Sequence, residues 1–236
     1  MLKAFDSVSI FIISSEVYMK SNEEIFNDIK KQLSSMELVR ADLIPNIDLY
    51  MDQVTTFIDK HLFSPDREDG EHIITKTMIN NYAKSELIPP PIKKKYSKDH
   101  IIMLILIHYL KNFLSIGEIN ALLGPIKDNY LSGRGDIDLE YIYNEIISEQ
   151  KSQHTELMDV LDRKFEASTH AFADAPDDKS KLLQMFSFIC SLSFDIYMQK
   201  YMLELLIDEL DNQYNSPASP EKQTKKDKKD KKDRKE

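Results

Sequence analysis

Apolar residues recur along most of this chain at the three- and four-residue spacing of helices. Ile25, Ile29 and Leu33 predict a first helix from Ser21 to about Val39, opened by the capping box Ser21-x-x-Glu24. Leu49, Val54, Phe57 and Ile58 predict a second from Asp48 to about His61, after a turn at Pro45-Asn46. The segment Ser64 to Glu71 reads as a polar loop, and its acids lack the spacing of a calcium loop. Thr75 is a good N-cap for a third helix reaching about Ser85, with Met78, Ile79 and Tyr82 facing inward. The opposite face then carries Lys76, Thr77, Asn80, Asn81 and Lys84.

From Leu87 to Tyr96, three prolines exclude helix and Lys93, Lys94 and Lys95 project from an extended, turned segment, a basic hairpin or wing. Ser97 caps the next helix, with Asp99 in its first turn; Ile101 to Leu114 is apolar on nearly every side, which predicts a buried central helix. A second capping box, Ser115-x-x-Glu118, opens a short helix that Gly124-Pro125 is expected to stop. Asp136 to about Phe172 and Pro176 to about Tyr214 read as a long helical hairpin. In its second arm Met185, Ile189, Leu192, Ile196, Leu203, Leu206 and Leu210 form a heptad-like seam, the expected dimer or partner interface. A second stripe, Leu183, Phe186, Cys190, Phe194, Tyr197, Tyr201 and Leu205, lies beside it, more apolar surface than one partner helix covers.

Charge sharpens this outline. The formal net charge is −9, yet Thr75 to Lys98 carries six lysines against one glutamate, and Glu221 to Glu236 carries nine Lys or Arg against five acids. The hairpin region from Asp136 to Tyr214, with seventeen acids and six bases, would be repelled by nucleic acid, so any such contact is local to the basic islands. The tail after residue 215 has no apolar residue in KKDKKDKKDRKE and is expected to be disordered, either an electrostatic arm for nucleic acid or anionic lipid, or a solubilising tail.

Only 5 glycines occur in 236 residues, and none are grouped as phosphate-cradling loops require, so common nucleotide-driven enzymes are not expected. The six histidines show no metal-ligand spacing with a carboxylate or cysteine partner, and no serine sits in a nucleophile elbow, so neither enzyme, metal nor cofactor is expected. His108, in the most apolar helix, reads as a core histidine. A single cysteine, Cys190, fits a reducing compartment, hence the cytoplasm, and the longest apolar run is too short to span a bilayer. Residues 1–18 make a poor signal peptide and read as a loose N-terminal strand, or as residues ahead of a true start at Met19.

Two resemblances add to this. Ile74 to Leu123 resembles the DNA-binding part of the MerR-type winged helix-turn-helix regulators: a recognition helix at Thr75–Leu87, a leucine-proline wing at Leu87–Tyr96, and the helix entry Tyr96-Ser97-Lys98-Asp99. The recognition helix departs from that pattern, having Asn80, Asn81 and Tyr82 where an Arg and two Tyr are usual. More closely, about Pro45 to Leu123 resembles the bacterial family known as domain of unknown function 1836. With the periodicity and charge above, this predicts a mainly all-α fold in four parts: an N-terminal segment and helix (1–44), the MerR-like winged helix-turn-helix domain that the resemblance implies (45–124), an acidic helical hairpin (136–214) and a disordered Lys-rich tail (215–236). The resemblance implies a cytoplasmic bacterial DNA-binding transcription regulator acting as a homodimer through its C-terminal helices, with no membrane. Its partner would be double-stranded DNA, with Lys76, Thr77, Asn80, Asn81 and Lys84 at the major groove and Lys93, Lys94, Lys95 and Lys98 at phosphates. The hairpin would hold a protein partner or small-molecule effector. The alternative is a helical adaptor protein whose winged helix is only a scaffold.

Overall fold

The computed structural model describes residues 20–62, 72–131 and 137–215. The N-terminal stretch, the polar loop of Ser64 to Glu71 and the basic tail lie outside the described residues. Helix α1 (Asn22–Ser34) starts where expected: Ser21 accepts from the Glu24 N–H at 3.1 Å, and Glu24 accepts from the Ser21 N–H at 2.8 Å. It stops at Ser35, short of Val39, whose carbonyl is taken by the hydroxyl of Tyr143 at 2.5 Å. Phe26 is its buried anchor, whereas Ile29, placed on the inward stripe by periodicity, is exposed.

A two-residue strand β1 (Leu49–Tyr50) precedes α2 (Met51–His61), so the helix expected from Asp48 begins three residues later. Helix α3 (Lys76–Lys84) follows, then strand β2 (Lys95–Tyr96), which pairs antiparallel with β1 in the register Leu49 with Tyr96 and Tyr50 with Lys95. Helix α4 (Lys98–Leu110) is buried on almost every side, and Ile101, Ile102, Met103, Leu104, Ile105 and Ile107 make it the centre of the main core. His108 is buried there too.

Helix α5 (Ile116–Tyr130) opens on its capping box and runs through Gly124-Pro125 instead of stopping. Proline disfavours helix at the residue before it by colliding with that residue's Cβ, and Gly124 has none. Packing does the rest: Ile119 and Leu123 are buried before the proline, and Ile126 packs on the core after it.

The hairpin consists of α6 (Leu139–Thr169), N-capped by Asp138, and α7 (Asp177–Leu210), extended by a π turn to Asn215. Two apolar clusters hold it. Leu139, Tyr143 and Ile207, near its open end, belong to the main core with α2 to α5. At the far end Phe26, Phe165 and Phe188 form a separate cluster joined by Leu161, Met185 and Leu192. Phe26 stacks on Phe165 at 4.1 Å, and Phe188 meets both rings edge-on. Of the expected seam, Met185 and Leu192 therefore face inward, while Ile189, Ile196, Leu203, Leu206 and Leu210 are exposed. Among the described residues no helix is long and apolar enough to cross a membrane.

Candidate nucleic-acid interface

Helix α3 is fixed from beneath and presents its polar face outward. Thr75 accepts from the Met78 N–H at 3.2 Å, and Ile79 and Tyr82 are buried below. Burial pushes the Tyr82 phenol above its ordinary pKa, so it stays neutral. Lys76, Thr77, Asn80, Asn81 and Lys84 are all exposed, as the periodicity requires. Lys76 pairs with Asp52, which ties the first turn of α3 to the first turn of α2.

The helix ends on a left-handed residue, Glu86 at φ 59°, with the Leu87 N–H reaching back to the Tyr82 carbonyl at 2.9 Å. Leu87 and Ile88 then plunge into the core, and Lys127 of α5 donates to the Glu86 carbonyl at 2.6 Å. These contacts set the direction in which the proline segment leaves.

That segment closes as a tight hairpin. Ile92 and Lys95 exchange both backbone hydrogen bonds, at 3.1 and 2.9 Å, around a two-residue turn in which Lys93 and Lys94 have φ of 50° and 64°. Two successive left-handed residues are the mark of a type I′ turn, a conformation that favours Asn-Gly. Here lysines occupy it, with both side chains exposed. Lys94→Gly is expected to raise the unfolding free energy by about 1 kcal/mol through relief of that strain, readable as a higher denaturation midpoint. A lowered midpoint would contradict it.

The pairing puts Tyr50, Lys95 and Ile92 side by side on the outer face of the ribbon, with Leu49 and Tyr96 buried beneath. The Lys95 ammonium lies 5.3 Å from the centre of the Tyr50 ring, so Lys95 is half-buried rather than extended into solvent. Lys98, on the first turn of α4, is drawn the other way and bonds Glu140 of α6 at 2.6 Å. Of the nine nominated residues, α3 and the hairpin tip thus present Thr77, Asn80, Asn81, Lys84, Lys93 and Lys94 without an ion pair among the described residues. Lys76, Lys95 and Lys98 are held by neighbours.

Tyr50 and His100 are parts of this region that sequence reasoning missed. His100 is buried where α4 meets the proline segment; its Nδ1 accepts from the Ser97 N–H at 3.1 Å, in the role a glutamate plays in a capping box. Burial holds the imidazole below the usual histidine pKa, partly offset by the nearby carbonyls of Pro90 and Pro89. A neutral ring is what an acceptor Nδ1 requires.

The hydroxyl of Tyr143 on Val39 closes the segment from one end of this unit to the other. Residues 39–146 match the family model described as Domain of unknown function (DUF1836). No curated protein and no solved structure matches the chain. The matched segment takes in α2 to α5, both strands and the first turns of α6; it begins at Val39, the acceptor of that hydrogen bond, and ends three residues after Tyr143, the donor. The interface built by α3 and the hairpin lies wholly inside it.

Proposed function

We propose that this chain is a DNA-binding transcriptional regulator whose residues 45–124 act as a MerR-like winged helix-turn-helix. The observation that carries the reading is the outward face of α3, with Thr77, Asn80, Asn81 and Lys84 exposed beside a lysine-tipped hairpin in an otherwise acidic protein. Carboxamides and hydroxyls can bond base edges in the major groove, and lysines on a projecting tip can meet phosphates. The regulator would act in the cytoplasm, as a homodimer held through its C-terminal helices, so that two α3 helices address two half-sites. A second reading, a helical adaptor protein, is favoured by the exposed apolar surface of α7 and predicts no duplex affinity beyond what the basic tail supplies.

Fluorescence anisotropy separates them, using the full chain and a variant ending at Tyr214 against duplexes tiling its own upstream region, with a scrambled duplex as control. The DNA reading expects saturable binding to one duplex that survives added salt better than the control, with or without the tail. Asn80→Ala should narrow the preference for that duplex by about 1 to 3 kcal/mol, whereas Lys94→Ala should weaken all duplexes alike and lower the salt slope by about one. Equal losses on every sequence for both variants would refute the assigned roles.

A further inference from the structure

Two of the six bases in the acidic hairpin meet in one place. Arg163 and Lys164 lie on a face of α6 that also carries Val160, Ala167 and Ser168, at intervals of three, one, three and one. With Ser187 and Ser191 of α7 they line a groove of about 480 Å³ between the two helices, within the roughly 300 to 1,000 Å³ of small-molecule sites. No carboxylate lines it among the described residues.

Its polar groups are not all used within the protein. Serines inside a helix commonly return the hydroxyl to a carbonyl three or four residues back, and Ser152, Ser168 and Ser193 of this hairpin do so. Ser187 and Ser191 do not. Among the described residues neither hydroxyl donates to any group, and Ser191 only accepts, from the Lys164 ammonium at 2.9 Å. Lys164 also bonds Asp195 at 3.1 Å. Arg163 is exposed and has no ion pair among the described residues, whereas the other described arginine, Arg40, pairs with Asp42. The walls are stiff, because Phe165 and Phe188, next in sequence to Lys164 and Ser187, are held edge-to-face at 5.4 Å in the cluster with Phe26. A ligand therefore meets a groove that costs little to order.

We propose that this groove binds a small organic acid through a single carboxylate, received by Arg163 and the hydroxyls of Ser187 and Ser191, with a short apolar body on Val160 and Ala167. The inference goes beyond the DNA reading and requires nothing of it.

Charge selects the carboxylate. Arg163 and Lys164 against Asp195 leave two bases less one acid, one net positive charge at the groove. One carboxylate cancels it. A phosphate monoester, at about −1.5 to −2, would leave negative charge in a hairpin whose acids already outnumber its bases seventeen to six. The same acids repel a nucleic-acid backbone, and the two bases repel a cation. Geometry agrees. A guanidinium meets a carboxylate with two parallel hydrogen bonds, each about twice as strong as a neutral one, and the two serine protons add donors from the opposite wall. Val160 and Ala167 stand seven residues apart, about 10 Å along α6 at 1.5 Å per residue. That length exceeds a carboxylate and leaves room for a body of several carbons.

The test titrates the full chain with benzoate by calorimetry, beside acetate, benzamide and phenyl phosphate at one ionic strength. Benzoate should bind saturably, one per chain. Acetate, which lacks the body, and benzamide, which lacks the charge, should each bind at least about tenfold more weakly. Arg163→Ala should weaken benzoate by about tenfold or more, and Arg163→Lys by less, because the charge returns without the fork. Ser187→Ala combined with Ser191→Ala should weaken it by about tenfold. Circular dichroism should show unchanged helices in the Arg163 variants, since that side chain is exposed. Absence of saturable benzoate binding, or binding unaltered in Arg163→Ala, would overturn the site. Tighter binding of phenyl phosphate than of benzoate would overturn its assignment to a single carboxylate.

Discussion

Phe26→Ala is expected to cost about 3 to 5 kcal/mol and to loosen the far end of the hairpin while leaving the main core closed. The ring is the centre of a three-ring cluster, stacked on Phe165 at 4.1 Å and meeting Phe188 edge-on at 5.5 Å. No other side chain of α1 is buried. The polar contacts around it are weaker: Asn22 donates to the Lys181 carbonyl at 2.7 Å, and Lys30 pairs with a half-exposed Asp162, a kind of ion pair worth about 1 kcal/mol or less. Alanine therefore removes the one anchor that seats α1, and the polar contacts do not replace it. Native-state hydrogen exchange should show faster exchange throughout α1 and in the adjoining turns of α6 and α7, with α4 as well protected as before. Equal loss of protection in α4 would show that the two clusters open as one unit.

The second large effect is expected at Tyr143. Its side chain is fully buried where α6 enters the main core, and its hydroxyl bonds the Val39 carbonyl at 2.5 Å. Burial drives its pKa far above the ordinary tyrosine value, so the hydroxyl remains a donor at any ordinary pH. Tyr143→Ala should cost about 3 to 5 kcal/mol by opening a cavity. Tyr143→Phe keeps the packing and leaves the Val39 carbonyl short of a donor, for about 1 to 3 kcal/mol. Chemical denaturation of both variants measures the difference. Equal costs would mean that the ring alone matters and that the link between Val39 and α6 is incidental.

Local chemistry was legible in the sequence, and long-range pairing was not. Ser21 with Glu24, Thr75, and Ser115 with Glu118 mark three helix starts within a residue, because a cap is made by residues three apart. The outward set on α3 follows from period alone once Ile79 and Tyr82 are taken as core. Gly124-Pro125 misleads because a local stop signal is overridden by apolar contacts on both sides of it. The first helix ends early at a cap that periodicity does not show: the Ser35 hydroxyl and N–H both turn back to the Gln32 carbonyl. Tyr50 could not be placed beside Lys95 without knowing the register of two strands separated by two helices' worth of chain. His100 escaped because an imidazole is filling the place of the usual carboxylate.

On α7 the sequence offered two stripes and no means of ranking them. Met185 and Leu192 meet Phe26, Phe165 and Phe188, a choice made by α1 and α6, while the rest of both stripes is exposed apart from the half-buried Leu183 and Cys190. The unit boundary behaves similarly. Composition suggests a break between residues 124 and 136, but Leu139, Tyr143 and Ile207 share the core of α4, and the family match runs on to residue 146.

The two clusters give α7 a mechanical character. It is seated at Phe188 in one cluster and at Ile207 in the other, nineteen residues and, at 1.5 Å per residue, about 28 Å apart along its axis. Between these seats every residue from Ile196 to Leu203 is exposed. The helix is thus a beam clamped at both ends over an unsupported span. Whatever grips mid-span bends or braces the whole beam, and the load arrives at Ile207, among the side chains that hold α4 and α5 in place.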